Sequence, residues 1–259
     1  MATAMPWIIK RNPTFKNYAQ TPLAKLLPEE SLRKARRLEA QELQSGVFLS
    51  QAGGGFAFHP LPRLAQIAPI HGIVTGDFDA DGNDDIYVVQ NTHAPIPELG
   101  RFDGGLGVLL TGDGRGGFHE VPISQTGLVV PGDARALALL DVDRDGWPEI
   151  LASRHNAPAL LFGNVGCDGR TALRVILQGK VGNSMAIGAQ VTLERSDGTR
   201  QTRELHAGGG YLSQDTAACF FTLPPSITPR RIIVRWPWGA MSDVATVPHG
   251  TTLTLSAER

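Results

Sequence analysis

From Gly46 onward the apolar residues fall into short runs separated by Gly, Pro and Asp. Val47–Leu49, Phe56–Leu61, Ile70–Val74, Ile86–Val89, Gly107–Leu110, Ala136–Leu140 and Ala159–Phe162 are each of strand length. No capped amphipathic stretch lies between them, so the pattern predicts antiparallel sheets without helices. The first 45 residues follow a different period. Pro28-Glu29-Glu30-Ser31 puts acids where a helix N-terminus favours them. Leu32, Ala35, Leu38 or Glu39, and Leu43 then recur at helical spacing, which predicts a helix from about Glu29 to Gln44. Its charged face, Arg33, Lys34, Arg36 and Arg37, reads as solvated.

Past Asn164 a second set of strand-like runs appears: Ala172–Leu177, Ala189–Leu193, Arg203–Leu205, Cys219–Leu223, Ile232–Trp236 and Thr251–Leu255. The turns between them are Asp197-Gly198, Gly208-Gly209-Gly210 and Pro224-Pro225. The expected organisation is therefore a helical segment over 1–45, a first β region over 46–164 and an all-β domain over 170–259. The fold class expected is mainly β.

The first β region repeats. Gly53-Gly54-Gly55-Phe56 and Gly114-Arg115-Gly116-Gly117-Phe118 are the same hairpin device, with Phe56 and Phe118 62 residues apart. An acidic loop follows each, and their first residues, Asp77 and Asp141, are 64 residues apart. A period near 60 with about four strands per unit is that of a propeller blade.

The two loops carry the chemistry. Asp77-Phe-Asp79-Ala-Asp81-Gly82-Asn83-Asp84-Asp85 fits D-x-D-x-D-G-x-x-D, and Asp141-Val-Asp143-Arg-Asp145-Gly146-Trp147-Pro148-Glu149 fits it with Glu at the ninth position. Carboxylates at positions 1, 3 and 5 of a tight turn converge. Gly at position 6 permits the bend, Asn83 or Trp147 at position 7 offers a backbone carbonyl, and position 9 returns a carboxylate. A hard cation such as Ca²⁺ takes six to eight such oxygens, whereas Mg²⁺ prefers rigid octahedral sites that keep several waters. An EF-hand needs a Glu at position 12, where this chain has Val88 and Ala152, and helical flanks, where it has strand-like runs. A solvated Asp-rich turn is the bland alternative; two copies in register favour two Ca²⁺ sites.

Charge changes the picture only when divided along the chain. The net charge of −1 hides +4 over residues 1–44, −10 over 70–150 and +4 over 151–259. The acidic middle attracts cations and repels nucleic acid, and neither basic end has a dense Lys/Arg run with aromatics. With 42% hydrophobic and 19% charged residues the chain can bury a core. No run approaches the roughly 20 apolar residues of a membrane span, and Met1–Lys10 lacks the pattern of a signal peptide. Cys167 and Cys219 are too few for a disulfide scaffold and read as ordinary thiols.

The Asp loops and Gly-rich hairpins resemble FG-GAP (VCBS) repeats, which form blades of the integrin-type β-propeller with calcium in the loop between a blade's first two strands. Gly182–Val191, with Asn183, Ala186, Gly188 and Ala189, then Gly208-Gly209-Gly210-Tyr211-Leu212-Ser213-Gln214, then Val234-Arg235-Trp236-Pro237-Trp238-Gly239 resemble the ASPIC/UnbV domain. The resemblance implies calcium ligands at Asp77, Asp79, Asp81, Asn83 and Asp85, and at Asp141, Asp143, Asp145, Trp147 and Glu149. It also implies a secreted, periplasmic or cell-envelope setting. The chain supplies two to two and a half blades where a propeller needs about four, so the resemblance predicts a C-terminal portion of a larger protein, self-association, or missing blades supplied from elsewhere.

No other constellation competes strongly. The seven histidines show no HExxH or similar pair. Ser213 lacks the G-x-S-x-G elbow. Gly114–Gly117 lacks the Lys-Ser/Thr of a phosphate loop. Trp236 and Trp238 read as core tryptophans before they read as a sugar platform. The expected function is a non-catalytic, calcium-stabilised module that binds protein or glycan. The alternative is an enzyme, or a protein that handles a small molecule or glycan, with a pocket at the domain junction.

Overall fold

The computed structural model describes residues 5–93, 99–166, 169–245, 247 and 251–257. Cys167 and His249, both weighed above, lie outside the described residues. The chain divides into two compact units, Met1–Leu43 and Gln44–Arg259. Among the described residues the first holds four short helices: α1 (Pro6–Arg11), α2 (Phe15–Gln20), α3 (Leu23–Leu26) and α4 (Glu29–Lys34). Thr14 caps α2, its hydroxyl accepting the N–H of Asn17 at 3.1 Å. Pro22 and Pro28 precede α3 and α4. The helix predicted as far as Gln44 stops at Lys34, and Ala35 is already extended. No residue of α4 is buried, and Leu38 and Leu43 are exposed. Without burial of an apolar stripe, propensity alone does not carry a helix of this length.

The second unit is mainly β. A hairpin comes first, β1 (Gly46–Ser50) with β2 (Phe56–Pro60). An antiparallel meander of four strands follows: β3 (Ile70–Gly76), β4 (Asp85–Gln90), β5 (Val108–Gly112) and β6 (Phe118–Val121). A second meander has three: β7 (Ala134–Leu140), β8 (Glu149–Arg154) and β9 (Ala157–Phe162). Two helical turns interrupt the strands, contrary to the sequence expectation. One is a 3₁₀ turn at Arg63–Gln66; the other is α5 (Ile123–Thr126), entered from Pro122 and ended by Gly127 at φ +67°. Each is a single turn, too short for hydrophobic periodicity to reveal.

Every residue of β4 is buried. Tyr87 and Val89 join one apolar cluster, with Leu137, Leu139, Ile150 and Ala152 of the second meander. Ile86 and Val88 join another, with Leu61, Ala65 and Leu110. A strand covered on both faces reads as a continuous apolar run, as this one does. The meanders come close enough at Gly72 that a Cβ there would lie 2.9 Å from the backbone nitrogen of Leu137.

The remaining strands are β10 (Thr171–Gln178), β11 (Gln190–Arg195), β12 (Arg200–Glu204), β13 (Ala218–Leu223), β14 (Pro229–Arg235), β15 (Met241–Val244) and β16 (Thr252–Ser256). They form two sheets, β12-β11-β14-β15 and β13-β10-β16. Leu173, Val175 and Leu177 of β10, Val191 and Leu193 of β11, Phe221 of β13 and Ile232 and Val234 of β14 share one buried cluster. Alternation along each strand thus places one face of each sheet in a common core. The pairing of β10 with β16 is parallel, whereas the other pairings of these two sheets are antiparallel.

Candidate metal centre

The two acidic loops are built alike, 64 residues apart. Each joins a pair of antiparallel strands, with Gly76 opposite Asp85 in one and Leu140 opposite Glu149 in the other. Ala80 and Arg144 have φ of +55° and +66°, and Gly82 and Gly146 of +101° and +90°. The glycine at position 6 is therefore required by the backbone. The ninth residue closes each loop onto its own start: Asp85 Oδ2 accepts the N–H of Phe78 at 2.8 Å, and Glu149 Oε2 that of Val142 at 2.7 Å. The third residue accepts the N–H of the fifth in both loops, and the fifth that of the seventh.

These turns gather carboxylates. Oxygens of Asp141, Asp143, Asp145 and Glu149 lie within 4.8 Å of one another, as do oxygens of Asp77, Asp79 and Asp85. Asp81, expected in the first group, instead turns both oxygens to Asn83, accepting its backbone N–H at 2.7 Å and its side-chain N–H at 3.0 Å. The expected contribution of Asn83 and Trp147 is a backbone carbonyl. Trp147 also packs its ring, which is buried with Ala80 of the other loop and Ala172 of β10.

Electrostatics differ among these acids. Burial pushes Asp85 up from 3.8 to about 7, although the N–H groups of Gly112 and Phe78 favour its anion. Burial also raises Asp77, Asp145 and Glu149, and neighbouring carboxylates add to each rise. The Asp141 side chain is fully buried; its Oδ2 accepts from Arg174, and its Oδ1 has no hydrogen-bond partner. A buried carboxylate oxygen without a donor, beside three other acids, suits a cation. The donor set is all oxygen, which fits Ca²⁺ in preference to a thiolate- or imidazole-loving metal.

Residues from the C-terminal sheets complete the surroundings, and the sequence pattern did not reveal them. On β10 and β13, Ala172 stands opposite Thr222 and Arg174 opposite Phe220, all on the face turned away from the sandwich core. Thr222 donates its hydroxyl to Asp77 Oδ2 at 2.5 Å. Arg174 donates to Asp141 Oδ2 at 2.8 Å. Arg203 pairs with Asp84 through both terminal nitrogens. Gln201 donates to the carbonyl of Gly82 at 3.1 Å. The buried Arg195 lies so near Gly82 that a Cβ there would be 2.8 Å from its Nη1. The one signal of this docking in the sequence is Arg195 itself, a charge in phase with the inward-facing Val191 and Leu193.

Two other polar groupings bear on the alternative function. A cleft of about 360 Å³ lies between β3, β7 and residues 204–218, with Thr75, Glu204, His206 and Asp215 on its walls. Asp215 accepts the N–H of Leu139 at 2.8 Å and is raised by burial. Elsewhere the hydroxyl of Thr92 lies 2.8 Å from His71 Nε2. That imidazole is poorly placed to act as a base. Burial and the charge of Arg135 lower its pKa, and Arg135 lies 3.0 Å from the same nitrogen. Ser213 forms an isolated bridge with Gly210, as a turn residue would. Trp236 is buried and donates to Ser242 at 2.8 Å, with Trp238 stacked on it.

Residues 179–259 match the family model described as "ASPIC and UnbV". The matched stretch begins just after β10 and takes in β11 to β16. A search of curated proteins finds no match to the chain. No helix among the described residues is long and apolar enough to cross a membrane.

Proposed function

We propose that this chain is a calcium-binding, non-catalytic interaction module, in which Ca²⁺ in two FG-GAP-type loops rigidifies propeller-like blades carrying an ASPIC/UnbV domain. One observation carries the reading: two loops 64 residues apart share positive φ values, the hydrogen bonds of their third, fifth and ninth residues, and converging carboxylates. Asp77, Asp79 and Asp85 would hold one ion, with Asp81 rotating off Asn83 to join them and the Asn83 carbonyl completing the set. Asp141, Asp143, Asp145, Glu149 and the Trp147 carbonyl would hold the other. The ion's contribution is to offset the repulsion among clustered carboxylates, which the loop geometry enforces. In this reading the meanders are blades, the ligand is a protein or glycan, the chain associates with itself or with further blades, and the setting is extracellular or within the envelope.

The enzymatic alternative has the cleft beside Asp215 and His206 as its place. Against it stands the lack, among the described residues there, of a nucleophile hydrogen-bonded to a base. Elemental analysis of protein equilibrated with excess Ca²⁺ and then desalted tests the proposal. Two ions per chain are expected, falling to one in Asp79→Ala and one in Asp143→Ala; a chain without bound metal refutes it.

A further inference from the structure

We propose that Arg174 acts as a resident counter-charge of the second loop and sets its calcium affinity below that of the first. The inference rests on the calcium reading above and concerns how the two sites differ. In each loop the first aspartate is met by the outer face of the same three-stranded sheet, but the chemistry differs. Asp77 receives the neutral hydroxyl of Thr222. Asp141 receives the guanidinium of Arg174.

The Arg174–Asp141 pair is little screened, since the two side chains are 16% and 0% exposed. The Arg174 side chain has no other hydrogen bond among the described residues, and its Nε is buried and without a partner. Asp141 therefore faces the loop with one oxygen tied to a cation and the other, Oδ1, free. Arg144, inside the same loop, adds a second positive charge.

The first loop lacks such a pair within its cluster. Arg195 lies beside it and its charge attracts Asp77 and Asp81, but it forms no ion pair with either and donates to the carbonyl of Thr222; the ion pair of Arg203 is with Asp84, outside the group formed by Asp77, Asp79 and Asp85. An ion on Asp141 would sit about 5 Å from the guanidinium, given the usual Ca–O distance of about 2.4 Å. At that range a divalent ion and a unit charge repel enough to weaken binding about tenfold even at a water-like dielectric constant. The same charge steadies the loop's carboxylates when no ion is bound, so Arg174 and Ca²⁺ substitute for each other.

The test is calorimetric titration of the full chain with CaCl₂. The wild type is expected to show two classes of site, with Asp143→Asn abolishing the weaker and Asp79→Asn the tighter. Arg174→Met should tighten the weaker class about tenfold, an effect that 0.5 M salt changes little because the pair is buried, and Arg174→Lys should restore the wild-type value. An unchanged or weakened second class in Arg174→Met overturns the proposal. So does loss of the tighter class in Asp143→Asn, a result that needs no change at Arg174 and stands even if Arg174→Met does not fold. A wild type that takes up no calcium overturns the calcium reading and this inference with it; two sites of equal affinity overturn only the inference.

Discussion

Asp85→Asn isolates what the first loop owes to one buried carboxyl. Asp85 is fully buried and accepts two backbone N–H groups, from Phe78 at 2.8 Å and Gly112 at 3.0 Å. Asn has a single acceptor oxygen, so one of those amides must face an NH₂ group. Leaving a buried donor unpaired costs about 1–3 kcal/mol, which is roughly 2–12 °C of melting temperature for a unit of this size. The cost is cleanest at pH 5 in chelator, where the raised carboxyl is mostly protonated and the exchange is neutral for neutral.

The pH dependence follows from the same group. Its pKa is about 7 in the folded chain, above the ordinary 3.8, so the folded state holds the proton more tightly than the unfolded state does. The resulting stabilisation is full below about pH 4 and is lost as pH rises through about 7. In chelator the wild type should therefore melt lower at pH 8 than at pH 5, and Asp85→Asn should show a smaller fall, the part left by the other raised carboxyls Asp77, Asp145, Glu149 and Asp215. Calcium at a hundred times a site's dissociation constant adds about 2.7 kcal/mol, so the variant, lacking the first site, should gain no more than about half the wild-type increment at pH 8. Asp113→Asn is the control. Asp113 also accepts two backbone N–H groups, from Arg115 and Gly117, but both on Oδ1 at an exposed turn, so Asn retains their acceptor. Equal losses in the two variants at pH 5 would refute the lost buried acceptor as the cause, and an unreduced calcium increment in Asp85→Asn would refute its place at the ion.

Two further tests probe the C-terminal sheets. Cys219 is buried and its thiol is pushed up to about 12, so at pH 8 only about one molecule in ten thousand carries the thiolate; in a Cys167→Ser background Ellman's reagent should label Cys219 only on unfolding, and fast native labelling would contradict the packing. Thr222→Val keeps the side-chain shape but removes the donor to Asp77, and should cost about 1–3 kcal/mol in a thermal melt, with Thr222→Ser restoring most of it; a neutral Thr222→Val would show that the contact with the first loop contributes nothing.

The local geometry of the two loops was legible because it is written in short range. The spacing of Asp77, Asp79, Gly82 and Asp85 fixes a turn whose positive φ values and ninth-residue closure follow from nine adjacent residues, and the same holds 64 residues later. Alternation likewise gave most of the sandwich strands, since period two is a property of the strand itself. Failures came where an element owed its limits to something outside it. The helix over Glu29–Gln44 stopped at Lys34 for want of apolar burial. The parallel pairing of β16 with β10, for which the sequence pattern sets no expectation, likewise depends on contacts that no local pattern encodes.

What tertiary structure alone decided is which surface the loops meet. Arg174 and Thr222 look like ordinary outward-facing strand residues, and the partners they find, Asp141 and Asp77, lie 33 and 145 residues away. Sequence periodicity says which face of a strand a residue occupies. Whether that face meets water or a carboxylate depends on how the β13-β10-β16 sheet docks, the sum of many small packing terms spread over distant segments. The carboxylate clusters were therefore determined by nine-residue stretches, and the charges that tune them by the fold.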